Sequence, residues 1–151
     1  MSDLTIEKVQ QEHTRLGKMI EQLTLAAKAT ILTLPESKIS LLPGERYAGP
    51  VLDKDGKVKH HLILLSARPT VDVNWKAAKA WAEEVGGTLP DRQEQALLFA
   101  NCKDALPQRW CWSSEPEGSS CAWGCYFNLG YQYYGGTSYD GSAVAVRRLN
   151  P

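Results

Sequence analysis

The chain has 151 residues, 43% of them hydrophobic, with 17 basic and 17 acidic side chains and a formal net charge of zero. That length holds one ordinary domain and a short appendage. Balanced charge without a run of one sign excludes the electrostatic footprint of a nucleic-acid groove or an anionic membrane surface. No stretch reaches the roughly 20 apolar residues of a membrane span.

The opening residues MSDLTIEKVQQEH lack a basic region followed by an apolar run, so the expectation is synthesis in the cytoplasm without a signal peptide. Four cysteines in that setting are expected to stay reduced. Ile6, Val9, His13, Leu16, Ile20, Leu23 and Ala27 recur at spacings of three and four, the a/d register of a heptad repeat. The first six are the candidate oligomerisation residues of an N-terminal helix over 1–29, pairing the chain with itself as a dimer or trimer. The alternative is one amphipathic helix lying on its own domain.

Residues 30–43, with Pro35 and Pro43, are read as a linker with one or two short strands, and residues 44–151 as the main domain. Glu45 to Leu65 predicts a hairpin turning at Asp53-Lys54-Asp55-Gly56. The later ligands of a calcium loop are missing there, so turn chemistry explains the aspartates. His60 and His61 are strand neighbours on opposite faces and cannot share a metal.

Asp72 or Asn74 is placed to cap a helix carrying Trp75, Ala78, Trp81, Ala82 and Val85, ended by Gly86-Gly87. Asp91 with Glu94 three residues on predicts a second, capping-box helix that turns Ala96, Leu97, Phe99 and Ala100 to the core. Strands on either side of two helices make the expected class α+β.

The segment from Trp110 to Leu149 holds three of the five tryptophans and five of the six tyrosines. Trp110-Cys111-Trp112 is read as a short strand and Ser113–Ser120 as a polar loop. Alternation in CAWGCYFNLG puts Cys121, Trp123, Cys125, Phe127 and Leu129 inside and Ala122, Gly124, Tyr126 and Asn128 outside. Gly135-Gly136 fits a two-residue hairpin turn, which would leave two tyrosines exposed whichever face is buried. Ser142 to Leu149 is expected to close the sheet. Trp110, Trp112, Trp123, Phe127, Val144 and Val146 are assigned to the core. Cys121 and Cys125, about 13 Å apart along a continuous strand at ~3.3 Å per residue, cannot bond each other, whereas Cys111 on a neighbouring strand can reach one of them. Zinc knuckle pairs are absent, and no metal or cofactor is expected.

HHLILL, WKAAKAWAEEVGGTLPDRQEQALLFAN, RWCWSSE, AWGCYFNLGYQYY and AVAVRRL, in that order over about residues 44–149, resemble the family typified by the C-terminal domain of the Legionella collagen-like adhesin, particularly its short phage and prophage members. The resemblance implies a C-type-lectin-like domain of two helices and a twisted antiparallel sheet, related in architecture to formylglycine-generating enzymes and to the variable proteins of diversity-generating retroelements. By that relation the ligand surface comprises Tyr126, Asn128, Tyr131, Gln132, Tyr133, Tyr134, Ser138, Tyr139 and Asp140. Glu115-Pro116-Glu117 only partly echoes the sugar-binding loop of calcium-dependent lectins, whose later Trp-Asn-Asp triplet is missing.

The leading expectation is a non-enzymatic phage or prophage binding protein recognising a protein or glycan ligand through its tyrosine-rich surface, with virion- or tail-associated adhesion as the role. One alternative is an intracellular phage-encoded interaction protein that modulates a host enzyme or defence complex. Another is a thiol or metal enzyme like the formylglycine-generating ones.

Overall fold

The computed structural model describes residues 5–27 and 36–151. The chain divides into two compact units, Met1–Glu36 and Ser37–Pro151. The class is α+β, with three α-helices and two three-stranded antiparallel sheets among the described residues. No described helix is long and apolar enough to cross a membrane.

In the first unit, helix α1 spans Ile6–Ala26. Its N-cap is Thr5, whose hydroxyl accepts from the Lys8 N–H, satisfying one of the amides a helix start leaves unpaired. No residue of α1 is buried, and Ile6, Leu16, Ile20 and Leu23 are each more than half exposed. Residues 30–35 of the expected linker lie outside the described residues. From 36 to 42 no strand forms, in a stretch without the alternation that lets a strand bury one face.

The second unit begins with strands β1 (Arg46–Leu52) and β2 (Val58–Leu64), paired antiparallel around the expected turn. There the Asp53 side chain accepts from the backbone of Asp55 and Lys57. β2 is the central strand of its sheet, and both of its faces are covered there, so that His60 and His61 are both buried. Helix α2 (Trp75–Glu84) is capped by Asn74, whose side chain accepts from the Ala77 N–H. Helix α3 (Arg92–Asn101) opens with the expected reciprocal capping box between Asp91 and Glu94. Its buried face is Glu94, Gln95 and Leu98, not Ala96 and Ala100, which are exposed. The reason lies in partners that periodicity cannot anticipate. Glu94 accepts from Arg148 and His60, and the Gln95 amide donates to the Cys111 carbonyl, so two polar side chains take the inward positions.

Strands β3 (Trp110–Glu117), β4 (Cys121–Tyr126) and β5 (Tyr131–Gly136) form the second sheet. The expected polar loop over 113–120 is therefore mostly strand. β3 leaves β4 after Trp112 and rejoins it at Pro116; between them Ser114 donates to the Pro90 carbonyl and Glu115 receives the Arg92 N–H. β6 (Val146–Leu149) pairs with β2 instead of closing the aromatic sheet, which corrects the single sheet expected from sequence. The preceding residues run between two core clusters. Val144 and Val146 pack with Leu62, Leu98 and Phe127, and Ala143 and Ala145 with Ala78, Ala82 and Trp112. All four are fully buried, the outcome of a two-residue period in a segment covered on both sides.

Glu94 has no solvent exposure. Burial alone would raise its pKa, but hydrogen bonds from Arg148, the Asp91 amide and His60 outweigh it and hold the carboxyl below its ordinary 4.5. Glu45 is likewise lowered, first by its hydrogen bond from Arg147. A carboxylate with a depressed folded pKa contributes stability that is fully present above its unfolded value and is lost as pH falls through the folded one. Urea denaturation should therefore show stability declining on acidification below about pH 4.5. Glu94→Gln, which leaves Arg148 without its counter-charge, should lower stability at pH 7 by about 3 kcal/mol and flatten the acid limb.

Candidate aromatic binding site

The site grows from β3. Trp110 and Trp112 are two apart and share a face; Trp110 lies opposite Tyr126 of β4, and Trp112 opposite Gly124. On the next strand Tyr133 lies opposite Gly124 and Tyr131 opposite Tyr126, so one face of the sheet carries successive rings. The Trp110 ring packs 5.7 Å from Trp112 at 79° and 5.0 Å from Tyr126 at 59°. Trp112 is fully buried, and its indole N–H donates to the Val73 carbonyl.

Glycines make the room. A side chain at Gly124 would overlap the Trp110 indole, and a Cβ at Gly141 would come within 2.7 Å of it, so the ring lies where only a bare backbone can pass. Gly135 is opposite Ala122, with its missing Cβ 3.8 Å from the same ring. This corrects the expected Gly135-Gly136 turn. Neither residue has a positive φ; both are extended strand beside the tryptophan. The hairpin turn is instead at Phe127–Gly130, where Gly130 takes φ 83° and donates to the Tyr126 carbonyl. A turn at Gly135-Gly136 would have paired Tyr134 with Thr137 and Tyr131 with Asp140; the strands instead pair Tyr134 with Trp123 and Tyr131 with Tyr126.

After β5 the chain turns back, Tyr139 donating to the Gly136 carbonyl and Gly141 exchanging bonds with Val73. Tyr139 and Asp140 thus face the sheet across a pocket of about 380 Å³, at the small end of the roughly 300–1,000 Å³ of ligand sites. Trp110, Trp112 and Tyr126 line it from β3 and β4, Tyr133, Tyr134 and Gly135 from β5, and Tyr139 and Asp140 from the return loop. Tyr133 and Tyr134 stack at 4.8 Å.

Five of the nine residues expected at the ligand surface therefore meet: Tyr126, Tyr133, Tyr134, Tyr139 and Asp140. The other four do not line the pocket. Tyr131 stacks on Tyr126 at 4.9 Å, Asn128 is in the hairpin turn, Ser138 is on the exposed return loop, and Gln132 bonds Arg92. Trp110 and Trp112 are lining residues that sequence reasoning assigned wholly to the core; their shared face and the glycines opposite were the available signal. The expected alternation also fails, since Ala122 and Gly124 are buried while Cys121 and Trp123 are only half-buried and Leu129 is exposed. β4 is packed on both faces, by the Trp110 indole over Gly124 on one and by the Arg92 guanidinium over Trp123 on the other. Trp123 carries the Arg92 guanidinium 3.7 Å above its ring and donates to Glu117.

The cysteines offer little chemistry. All four are free. Cys111 and Cys125 face each other across β3 and β4, and burial pushes their thiols up to about 12 and about 11, the opposite of an activated thiolate. Among the described residues no group of His, Cys, Asp and Glu side chains is arranged to hold a metal ion. The six seam residues of α1 occupy one helix, with Ile6, Val9, Leu16, Ile20 and Leu23 exposed. A scan against protein-family models finds no match, and comparison with curated proteins finds none either.

Gly124→Ala should displace Trp110 and cost about 1–3 kcal/mol through overpacking. Loss of near-ultraviolet circular dichroism together with a lowered melting temperature would register it; a wild-type spectrum and melting temperature would mean that the ring has room to move.

Proposed function

We propose that residues 37–151 form a non-enzymatic recognition domain of phage or prophage origin, C-type-lectin-like in architecture, that binds a protein or glycan through its aromatic pocket. One observation carries this reading: the tyrosine-rich segment and the tryptophans of β3, distant in sequence, converge on one concavity with a single carboxylate at its edge. Concave, mostly aromatic surfaces with few polar groups are the usual form of a binding site, and tyrosine supplies contact area at low conformational cost. The high thiol pKa values of Cys111 and Cys125 argue against a thiol enzyme.

The N-terminal helix serves this function by self-association. Ile6, Val9, Leu16, Ile20 and Leu23 form an exposed apolar stripe at a/d spacing, with His13 among them, and a short coiled coil would bury it. Joining two or three pockets raises avidity without a new contact.

Tyr133, Tyr134 and Tyr139 are 56%, 39% and 71% exposed, so replacing all three by alanine should leave the fold intact. Ligand capture from host lysate or a glycan array should be abolished by that triple variant, and unchanged capture would refute the site. In sedimentation the full chain should run as a dimer or trimer and a chain starting at Leu41 as a monomer; two monomers would remove the coiled coil.

A further inference from the structure

We propose that the pocket recognises a quaternary ammonium group, the trimethylammonium of a methylated lysine or a choline headgroup. The inference rests on the reading of this pocket as a binding site and names its ligand class. Six of the eight lining residues are aromatic, and Asp140 is the one charged residue among them. The ring faces and the carboxylate are of the same electrostatic sign, so the complementary ligand is a cation.

The rings' arrangement specifies what kind of cation. Trp110, Tyr126, Tyr133 and Tyr139 line one concavity of about 380 Å³ from four separate segments of the chain, so the rings curve around a site and do not form the flat platform on which a sugar ring stacks. A single carboxylate is too few oxygens for a metal ion. Trp112 spends its N–H on Val73, and Asp140 is the one group of the lining that offers a counter-charge. A trimethylammonium has no N–H to satisfy, presents methyl groups to aromatic surface, and needs one counter-charge. Asp140 is exposed, and its carboxylate has no hydrogen-bond or ion-pair partner among the described residues.

The protein's own cations reinforce the assignment. Lys79 lies over Trp75, Arg92 over Trp123 and Lys103 over Phe99, yet no lysine or arginine of residues 36–151 lies over a ring of the pocket. Trp123 and Trp110 occupy opposite faces of the same sheet; the first is covered by an internal guanidinium, and the second is left to an external cation.

The test is titration of the full chain, followed by tryptophan fluorescence and amide chemical shifts, with choline, a trimethyllysine peptide and 3,3-dimethylbutan-1-ol, which has the shape of choline without its charge. Choline or the peptide should bind, with shifts at Tyr133, Tyr139 and Asp140, and the neutral alcohol should bind about tenfold more weakly. Whichever of the two cations binds more tightly identifies the source of the group. Asp140→Asn should weaken cation binding about threefold or more and reduce its dependence on salt, with an unchanged melting temperature. Equal binding of the neutral alcohol, or no response to either cation, would overturn the proposal. A neutral saccharide that shifts the same residues while choline does not would overturn it too, yet leave the pocket's role in recognition standing.

Discussion

The carboxylate of Glu94, sealed from solvent, accepts hydrogen bonds from Arg148 on β6, His60 on β2 and the Asp91 amide at the start of its own helix. A buried charge is tolerated only when its lone pairs are filled and a counter-charge is close, and here each partner comes from a different element. Satisfying one group thus fixes α3 against the first sheet. The next residue, Gln95, reaches the other way to the Cys111 carbonyl on β3, and the Arg92 N–H meets Glu115 where β3 departs from β4. The first turn of α3 is therefore the joint between the two sheets.

The site inherits its geometry from that joint. Because Arg92 is held at the helix start, its guanidinium covers Trp123 and its side chain and carbonyl engage Gln132, which pins the middle and edge strands of the aromatic sheet from behind. On the opposite face none of the described residues forms such a clamp, and the rings meet one another across Gly124, Gly135 and Gly141. One sheet is thus closed by a cation on one side and opens as an aromatic pocket on the other. Function, in the reading proposed, depends on a glycine pattern as much as on the tyrosines.

The helical part of the fold was legible because its signals are local. Asn74, and Asp91 with Glu94, announce their helices by side chains that cap the adjacent backbone, and the turn at Asp53–Gly56 is likewise made within five residues. The aromatic segment was harder. Alternation there was clear, but which face was inside could not be read, since β4 has neighbours on both edges and cover on both faces. A Gly-Gly pair carries the same letters whether it turns the chain or clears space for an indole.

The sequence by itself determined the α+β class, the helix starts, the first hairpin, the apolar stripe on α1, and a tyrosine-rich surface near the C-terminus, all properties set by residues within a few positions of one another. Only the tertiary structure decided that β6 joins β2, that Glu94 and Gln95 face inward, that Gly135 and Gly136 are strand, and that Trp110, packed on the core, also lines a pocket with Tyr139 and Asp140. Those outcomes depend on partners far away in the chain, and a buried charge or a bare glycine takes its meaning from what it meets there.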